Sequence, residues 1–275
     1  MSSLIKSELS KIITVLFTRS NRSVWENIDI IKSYLQYLEL QKPEEVIIEK
    51  LKKEGILQSA RLLDIGVGVG RTTLHIALLV NDYVAIDYSE NMIKVCKYIV
   101  QKRLRLSLPL IISDARFLPF RTGIFDIILF SYNGLDYASP EERIGILYEI
   151  RRVLKKGGYF IFSSHNLYSI TKLLELRKFS SFISSISEAK RSFLLRILNR
   201  AALKNYGTKD FALLYDGSGY WKLRTYYIKP IKQIKQLLDT GFQGIHVFGL
   251  DGKELTVIEL PRNSDFWLYY LCKTT

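Results

Sequence analysis

The chain has little of what metal sites and disulfide frameworks are made from. Its 275 residues include two cysteines, Cys96 and Cys272, and three histidines, His75, His165 and His246. Two cysteines cannot build a zinc site alone and no C-x-x-C pair occurs, so no metal is expected. Cys96 falls in a helix-like segment and Cys272 in the last strand-like run, which reads as two buried thiols suited to a reducing compartment. No apolar run approaches the ~20 residues that a bilayer span requires. The segment Ile12-Ile13-Thr14-Val15-Leu16-Phe17 is short, is preceded by acid, and leads to no small-residue cleavage site. It reads as one face of a helix and not as a signal peptide. No internal repeat or low-complexity linker is present. The expectation is a soluble, cytoplasmic protein whose oligomeric state is open.

What is abundant is apolar and basic. At 48% hydrophobic residues the chain can bury one substantial core, and one α/β domain with an insertion fits its length better than two domains. Between Arg151 and Thr240, 18 Lys/Arg face 5 Asp/Glu, an excess equal to the net charge of +13 of the whole chain. A basic segment of this kind attracts nucleic acid, an anionic membrane or an acidic small molecule, or is simply a lysine-rich solvated surface.

The most informative segment is Leu62-Leu63-Asp64-Ile65-Gly66-Val67-Gly68-Val69-Gly70-Arg71. An apolar run ends in an acid, and three alternating glycines lead into a helix-like segment at Thr72. Glycine allows a sharp turn at the end of a buried strand and lets a ligand lie against the main chain. The hydride-transfer fingerprint G-x-G-x-x-G is not met, because Arg71 stands where its third glycine belongs. A second run, Val84-Ala85-Ile86-Asp87, ends in a carboxylate about 20 residues past the first glycine, where an acid can accept both hydroxyls of a ribose. Leu110-Ile111-Ile112-Ser113-Asp114-Ala115 is a third such run. Phe125-Asp126-Ile127-Ile128-Leu129-Phe130 runs into Ser131-Tyr132-Asn133-Gly134, and Tyr159-Phe160-Ile161-Phe162-Ser163 follows two lysines and two glycines.

The remaining pattern is helical at the start and mixed at the end. Ile12, Val15, Leu16, Ile28, Ile31, Leu35 and Leu38 recur at three- and four-residue steps, and Pro43-Glu44-Glu45 opens another helix with acids at its positive end. Ser139-Pro140-Glu141-Glu142 has the form of a capping box. Alternating strands and helices imply a parallel sheet covered on both faces. Two closing strands, 244–250 and 266–272, are joined without a helix and must run antiparallel.

The D-x-G-x-G-x-G loop, the acids after the next two strands, and the antiparallel end together resemble the class I S-adenosylmethionine-dependent methyltransferases. The resemblance covers about residues 45–163 and resumes at about Tyr226. It implies a Rossmann-like seven-stranded sheet, mostly parallel with an antiparallel last strand, helices on both faces, an N-terminal helical extension and a helical/strand lid inserted after the fifth strand. The domains expected are an N-terminal helical cap (1–58), a cofactor-binding core (59–165), a basic lid (166–225) and a C-terminal completion of the core sheet (226–275). The cofactor implied is S-adenosyl-L-methionine, with S-adenosyl-L-homocysteine as product.

Residue roles follow from that resemblance. Gly66, Gly68 and Gly70 would position the methionyl part, with Asp64 holding its ammonium and Arg71 either meeting its carboxylate or lying in solvent. Asp87 would take the ribose and Asp114 the adenine amine, with Tyr88, Met92, Ala115 and Arg116 around the ring. Phe130 and Ser131 would floor the methionyl site. For the acceptor, Tyr132, Asn133, Asp136, Tyr220, Trp221 and Tyr227 are candidates, and a run from Tyr220 to Tyr227 is expected as an extra strand. His165, just past the fifth strand, is the candidate general base, because an imidazole titrates near working pH; His75 and His246 read as structural.

Two nucleic-acid subclasses are argued down. The family's amino-methylating members carry N/D/S-P-P-Y/F/W after the fourth strand, where this chain has Ser131-Tyr132-Asn133-Gly134. Carbon-5 cytosine methylation needs a cysteine at that edge, and neither cysteine is there. The function expected is methyl transfer to an oxygen or nitrogen of a small-molecule or peptide-derived acceptor. The alternatives are an RNA or polyanion enzyme, or a membrane-surface lipid or quinone enzyme. For the last, Leu173, Leu174, Phe179, Phe182, Ile183, Ile186, Phe193, Leu194 and Ile197 lie among lysines and arginines, read either as an interfacial helix or, more simply, as the lid's own packing.

Overall fold

Five apolar runs with both faces covered make the parallel half of the sheet. A computed structural model of the chain describes residues 21–175 and 182–275; Ile12, Val15, Leu16 and Phe179 lie outside the described residues. β1 (Arg61–Ile65), β2 (Asp82–Asp87), β3 (Leu110–Ile112), β4 (Phe125–Phe130) and β5 (Leu154–Asn166) lie in the spatial order β3-β2-β1-β4-β5, every pair parallel. Successive side chains point to opposite faces. Thus Leu63, Ile65, Val84, Ile86, Ile128 and Phe130 join one core, and Leu62, Ala85, Ile127 and Leu129 the other.

Helices close both cores. The principal ones are α1 (Ile28–Tyr34), α2 (Lys42–Lys53), α3 (Arg71–Ile76), α4 (Glu90–Leu104), α5 (Pro140–Val153), α6 (Phe182–Leu198) and α7 (Pro230–Asp239). α5 and α7 cover the first face through Ile146, Leu147, Ile150 and Leu237. α2, α3 and α4 cover the second through Ile47, Leu51, Ile76, Ile93 and Cys96. The local signals read from sequence are the ones used. Ser139 and Glu142 exchange capping bonds of 2.9 and 3.2 Å at the start of α5. At the start of α2, Glu44 reaches back to the Gln41 N–H at 2.6 Å.

The closing strands run antiparallel as expected. β9 (Trp267–Thr274) pairs antiparallel with β5 from Tyr159↔Lys273 to His165↔Trp267, and β8 (Phe242–Phe248) pairs antiparallel with β9. These strands and β1–β5 account for the seven anticipated.

The sheet has nine strands among the described residues, not seven, because the insertion adds a hairpin. β6 (Phe211–Leu214) pairs antiparallel with β7 (Thr225–Ile228), and β7 pairs parallel with the tip of β5 at His165↔Tyr227 and Asn166↔Ile228. At His165 one edge of β5 is held by β9, so β7 takes the other edge, beyond the point where β4 stops at Phe130. β5 outgrows β4, and its backbone groups need partners that the hairpin supplies.

The anticipated strand at Tyr220 begins later. Tyr220 and Trp221 lie in the short turn Ser218–Trp221 with φ of 56° and 68°, and extended pairing starts only at Thr225. The alternation of aromatic and polar residues there belongs to a turn whose left-handed residues cannot pair as a strand.

The insertion packs on itself and on the sheet edge. Leu195 of α6 meets Leu167, Ile170, Leu173, Leu214 and Tyr227. From the other side, Val24 and Ile30 of the N-terminal segment meet Leu223, so the cap and the insertion touch above the carboxyl ends of the strands.

Candidate active site

The loop between β1 and α3 uses its three glycines for three reasons. All have left-handed φ, 66° at Gly66, 57° at Gly68 and 91° at Gly70, a region open to glycine at no steric cost. A Cβ on Gly66 would stand 3.1 Å from the Phe130 ring, and one on Gly70 would stand 2.8 Å from Cys96 Sγ. A Cβ on Gly68 would meet nothing within 4 Å, because Gly68 borders the cavity at the strand ends. Gly70 is therefore a packing glycine, and Cys96 is its small partner on α4. Burial pushes the Cys96 thiol up to about 12, which leaves it no nucleophilic role.

Asp64 turns away from the cavity. It is buried and accepts bonds from the Thr72 hydroxyl and, at 2.5 Å, from Tyr83. Burial pushes its carboxyl up to about 6, against the pull of those two donors. It ties β1, β2 and the first turn of α3 together beneath the glycine loop.

Asp87 is placed differently. Its two oxygens accept the N–H groups of Gly68 and Ser89, each at 2.9 Å, and the residue lines the cavity. Burial pushes its carboxyl up to about 6, and the two backbone bonds hold it from rising further. Asp114 lines the cavity beyond it, gripped by Arg116 through Nε at 3.0 Å and Nη2 at 2.6 Å; the far side of Arg116 is paired to Glu142. Tyr88, Met92 and Ala115 complete this part of the wall.

Arg71 meets neither open cavity nor solvent. Its guanidinium makes a two-pronged pair with Glu44 of α2 at 2.5 and 2.6 Å, reaches the Ser131 hydroxyl at 3.2 Å and lies over the Tyr132 ring at 5.2 Å. Ser131 in turn bonds Glu44 and approaches the Tyr269 hydroxyl at 3.1 Å. Burial opposes ionisation of Glu44, yet the bonds from Arg71 outweigh it and hold the carboxyl below its usual range. Sequence reasoning read Glu44 only as a first-turn acid; nothing in the local pattern reveals its partner 27 residues on.

Phe130, Ser131 and Tyr132 line the cavity at the end of β4. Tyr132 and Asn133 both take left-handed φ, 54° and 63°. Consecutive non-glycine residues there are strained, and such strain gathers at functional loops. Asn133 donates its backbone N–H to Ser163 at 2.8 Å, and its buried side-chain oxygen has no hydrogen-bond partner.

The second cluster lies outside the cavity lining. His165 Nδ1 stands 2.7 Å from Asp136 Oδ2, and the His165 backbone N–H donates to the same oxygen at 2.7 Å. Asp136 is fully buried, and its other oxygen accepts from Arg143 at 2.5 Å and Ser164 at 2.8 Å. A carboxylate only accepts, so Nδ1 carries the hydrogen, and in the neutral form of the ring Nε2 keeps its lone pair. The ring sits 4.8 Å from that of Tyr227 and 5.9 Å from that of Trp267, and Trp267 in turn lies 6.1 Å from Tyr132 on the cavity wall. The Tyr227 hydroxyl donates to Asp216 at 3.0 Å. Neither Tyr220 nor Trp221 lines the cavity: Tyr220 is exposed, and Trp221 packs against the insertion's buried cluster, which includes Tyr227. His75 bonds the Leu38 carbonyl at 2.9 Å and His246 pairs with Glu254 at 2.6 Å, both away from the cavity.

The N-terminal segment contributes wall residues that sequence reasoning missed. Trp25 and Tyr34 line the cavity with Tyr137 opposite, Trp25 edge-on to both tyrosines at 5.9 and 5.0 Å. Their aromatic character was visible, but no spacing rule brings residues 25 and 34 over a cavity built from 65–146.

A parallel sheet with a glycine loop after its first strand, an acid after its second and third, and an antiparallel last strand defines a nucleotide-cofactor enzyme of the doubly wound α/β type. Residues 62–158 match the family model of a methyltransferase domain. An uncharacterized protein of Methanocaldococcus jannaschii is 26% identical over 208 residues, 75% of this chain and 69% of that one. A demethylmenaquinone methyltransferase of Lactococcus lactis is 31% identical over 111 residues, 39% of this chain and 43% of that protein, so the match spans less than half of that relative. Among solved structures, the fold is similar to 1,6-didemethyltoxoflavin-N1-methyltransferase of Burkholderia thailandensis. The TM-score is 0.58 at 14% identity, covering 95% of this chain and 90% of that one, and that structure holds 1,6-didemethyltoxoflavin and S-adenosylhomocysteine. Residues 62–158 carry a methyltransferase domain of the S-adenosylmethionine-dependent type, and the fold as a whole is similar to that of solved S-adenosylmethionine-dependent methyltransferases.

Proposed function

We propose that the enzyme methylates an oxygen or nitrogen of a small-molecule acceptor and that His165, oriented by Asp136, removes the acceptor's proton. The observation that carries this is the 2.7 Å contact between His165 Nδ1 and a fully buried carboxylate, within an aromatic series that reaches the cavity wall.

The cavity suits S-adenosylmethionine on its own chemistry. Gly68 leaves its surface bare of side chain, and Asp87 and Asp114 present acceptor oxygens along one wall. When bound, the cofactor supplies a methyl group already activated by the sulfonium charge. Gly66 and Gly68 hold the methionyl part by backbone approach, Asp87 takes the ribose hydroxyls and Asp114 the adenine amine, with Tyr88, Met92 and Arg116 beside the ring. Asp64 and Arg71 act through other residues. Asp64 fixes the loop from beneath, and Arg71 with Glu44 fixes Ser131 and Tyr132.

The residues of the second cluster handle the acceptor. Tyr132, Trp267 and Tyr227 form an aromatic wall that holds a flat or apolar body, and His165 Nε2 receives the hydrogen of its O–H or N–H group. The charge gained by the imidazole is met by Asp136, whose position Arg143 and Ser164 fix. Much of the rate comes from alignment of the two reactants, and the base adds to it.

The test is His165→Gln, assayed with the extract fraction that accepts label from S-adenosylmethionine. We expect kcat to fall by about 10²- to 10⁴-fold, with cofactor affinity unchanged. An unaltered kcat would remove the base from the account.

A further inference from the structure

Helix α6 is amphipathic the wrong way round. Among its described residues, the side it turns to the protein carries Glu188, Ser192 and Leu195, with Asn199 just past its end, all buried, and only Leu195 of these is apolar. Each polar one is engaged: Glu188 by Arg191, Ser192 by Arg196, and Asn199 by both backbone groups of Tyr215 at 2.8 Å. The opposite side carries Ile186, Phe193 and Ile197, exposed to 55, 62 and 55%. Their spacing of seven and four puts them on one stripe. Single exposed apolar residues are ordinary, but a row of three over a polar inward face is not explained by the lid's own packing.

The charges beside the stripe say what covers it. From Ile186 to Lys204 there are five Lys/Arg and one acid, Glu188, which is buried and paired. Lys190 lies in the stripe between Ile186 and Phe193, and Arg200 and Lys204 follow in the short segment just past the helix end, all exposed. A second copy of this face would set like charges against each other. A nucleic acid would engage the cations and leave Phe193 and the isoleucines unused. An anionic bilayer surface satisfies both sets, taking the apolar side chains below its headgroups and the cations among its phosphates.

We infer that the outer face of α6 docks the enzyme on an anionic lipid surface. Leu195 of the same helix belongs to the buried cluster that includes Tyr227, whose ring lies 4.8 Å from that of His165. The docked face is thus the outside of the element whose inside borders the second cluster. The inference does not depend on which atom is methylated.

The test is flotation of the full chain with vesicles of phosphatidylcholine alone or of equal parts phosphatidylcholine and phosphatidylglycerol. We expect at least tenfold tighter binding to the mixed vesicles. Phe193→Asp with Ile197→Asp should lose it tenfold or more, and Lys190→Gln with Arg200→Gln should weaken it and flatten its salt dependence. All four side chains are exposed, and unchanged circular dichroism and S-adenosylhomocysteine affinity would verify the fold. Failure of the wild type to float with mixed vesicles would overturn the inference. Equal binding by the Asp pair and the wild type would overturn it as well. So would a wild-type dimer in light scattering that the Asp pair converts to monomer without any vesicle binding.

Discussion

Replacing Glu44 by Gln removes one charge and almost no volume from the most buried ion pair at the cavity edge. The Glu44 and Arg71 side chains are 2% and 11% exposed and meet through two bonds of 2.5 and 2.6 Å. Removing one partner of such a pair leaves a buried, uncompensated cation and costs about 3–5 kcal/mol. Against a total stability of roughly 5–15 kcal/mol for a folded domain, that is a large fraction. Replacing both partners, as Glu44→Met with Arg71→Met, should restore most of the loss, because the cation needing a partner is gone and Ser131 keeps Tyr269 at 3.1 Å. Glu44 also carries a pH signature. Its folded carboxyl is held below the usual range, so its stabilisation is present above the unfolded value of about 4.3 and is lost as pH falls through the folded one. Urea unfolding of wild type, single and double variants at neutral and acid pH measures all of this. The gap between wild type and Glu44→Gln should be wide at pH 7 and narrow in acid. A single variant within about 0.5 kcal/mol of wild type at pH 7 would refute the reasoning, since that is the scale of an indifferent surface change.

The glycine loop and its acids give further outcomes. Gly68→Ala puts a methyl group into open cavity at a φ of 57°; it should lose about 1–2 kcal/mol of stability from the left-handed backbone and weaken S-adenosylhomocysteine binding at least tenfold in calorimetry. Asp87 has its carboxyl raised to about 6, so cofactor affinity should decline as pH falls through that value, while Asp87→Asn should bind weakly with a flat profile between pH 5 and 8. The same raised carboxyl, and that of Asp64, act on stability with the opposite sign to Glu44. Their contribution is present below an unfolded value of about 3.9 and is lost as pH rises through about 6, which differential scanning calorimetry of the ligand-free protein across that window would register.

Much of the core was legible because each part sits in one continuous stretch. A strand, its terminal acid and the following glycines are neighbours in sequence, so Asp64, Gly66, Gly68, Asp87 and Asp114 could be placed at strand ends before any coordinates. The capping box at Ser139 and the antiparallel end were legible for the same reason. What could not be read depends on contacts across the fold. Asp136 meets His165 because the turn after β4 and the overgrown tip of β5 come together, and Arg71 meets Glu44 because α2 crosses the mouth of the glycine loop. The hairpin β6–β7 was missed at Phe211-Ala212-Leu213-Leu214, a run too short and too evenly apolar to declare a strand, while Tyr220-Trp221 alternated like one and turned out to be a left-handed turn. The outward stripe of α6 was visible as apolar residues among cations, but only the structure tells which side of the helix is turned inward.

The central claim is that this enzyme moves a methyl group from S-adenosylmethionine to a small molecule. Its most direct test is transfer of labelled methyl from the cofactor into host extract, with nuclease-treated and small-molecule-depleted extract run in parallel. Label that survives nuclease and disappears when small molecules are removed is the result predicted. Label that persists without small molecules but is abolished by nuclease would contradict the account and make a nucleic acid the acceptor.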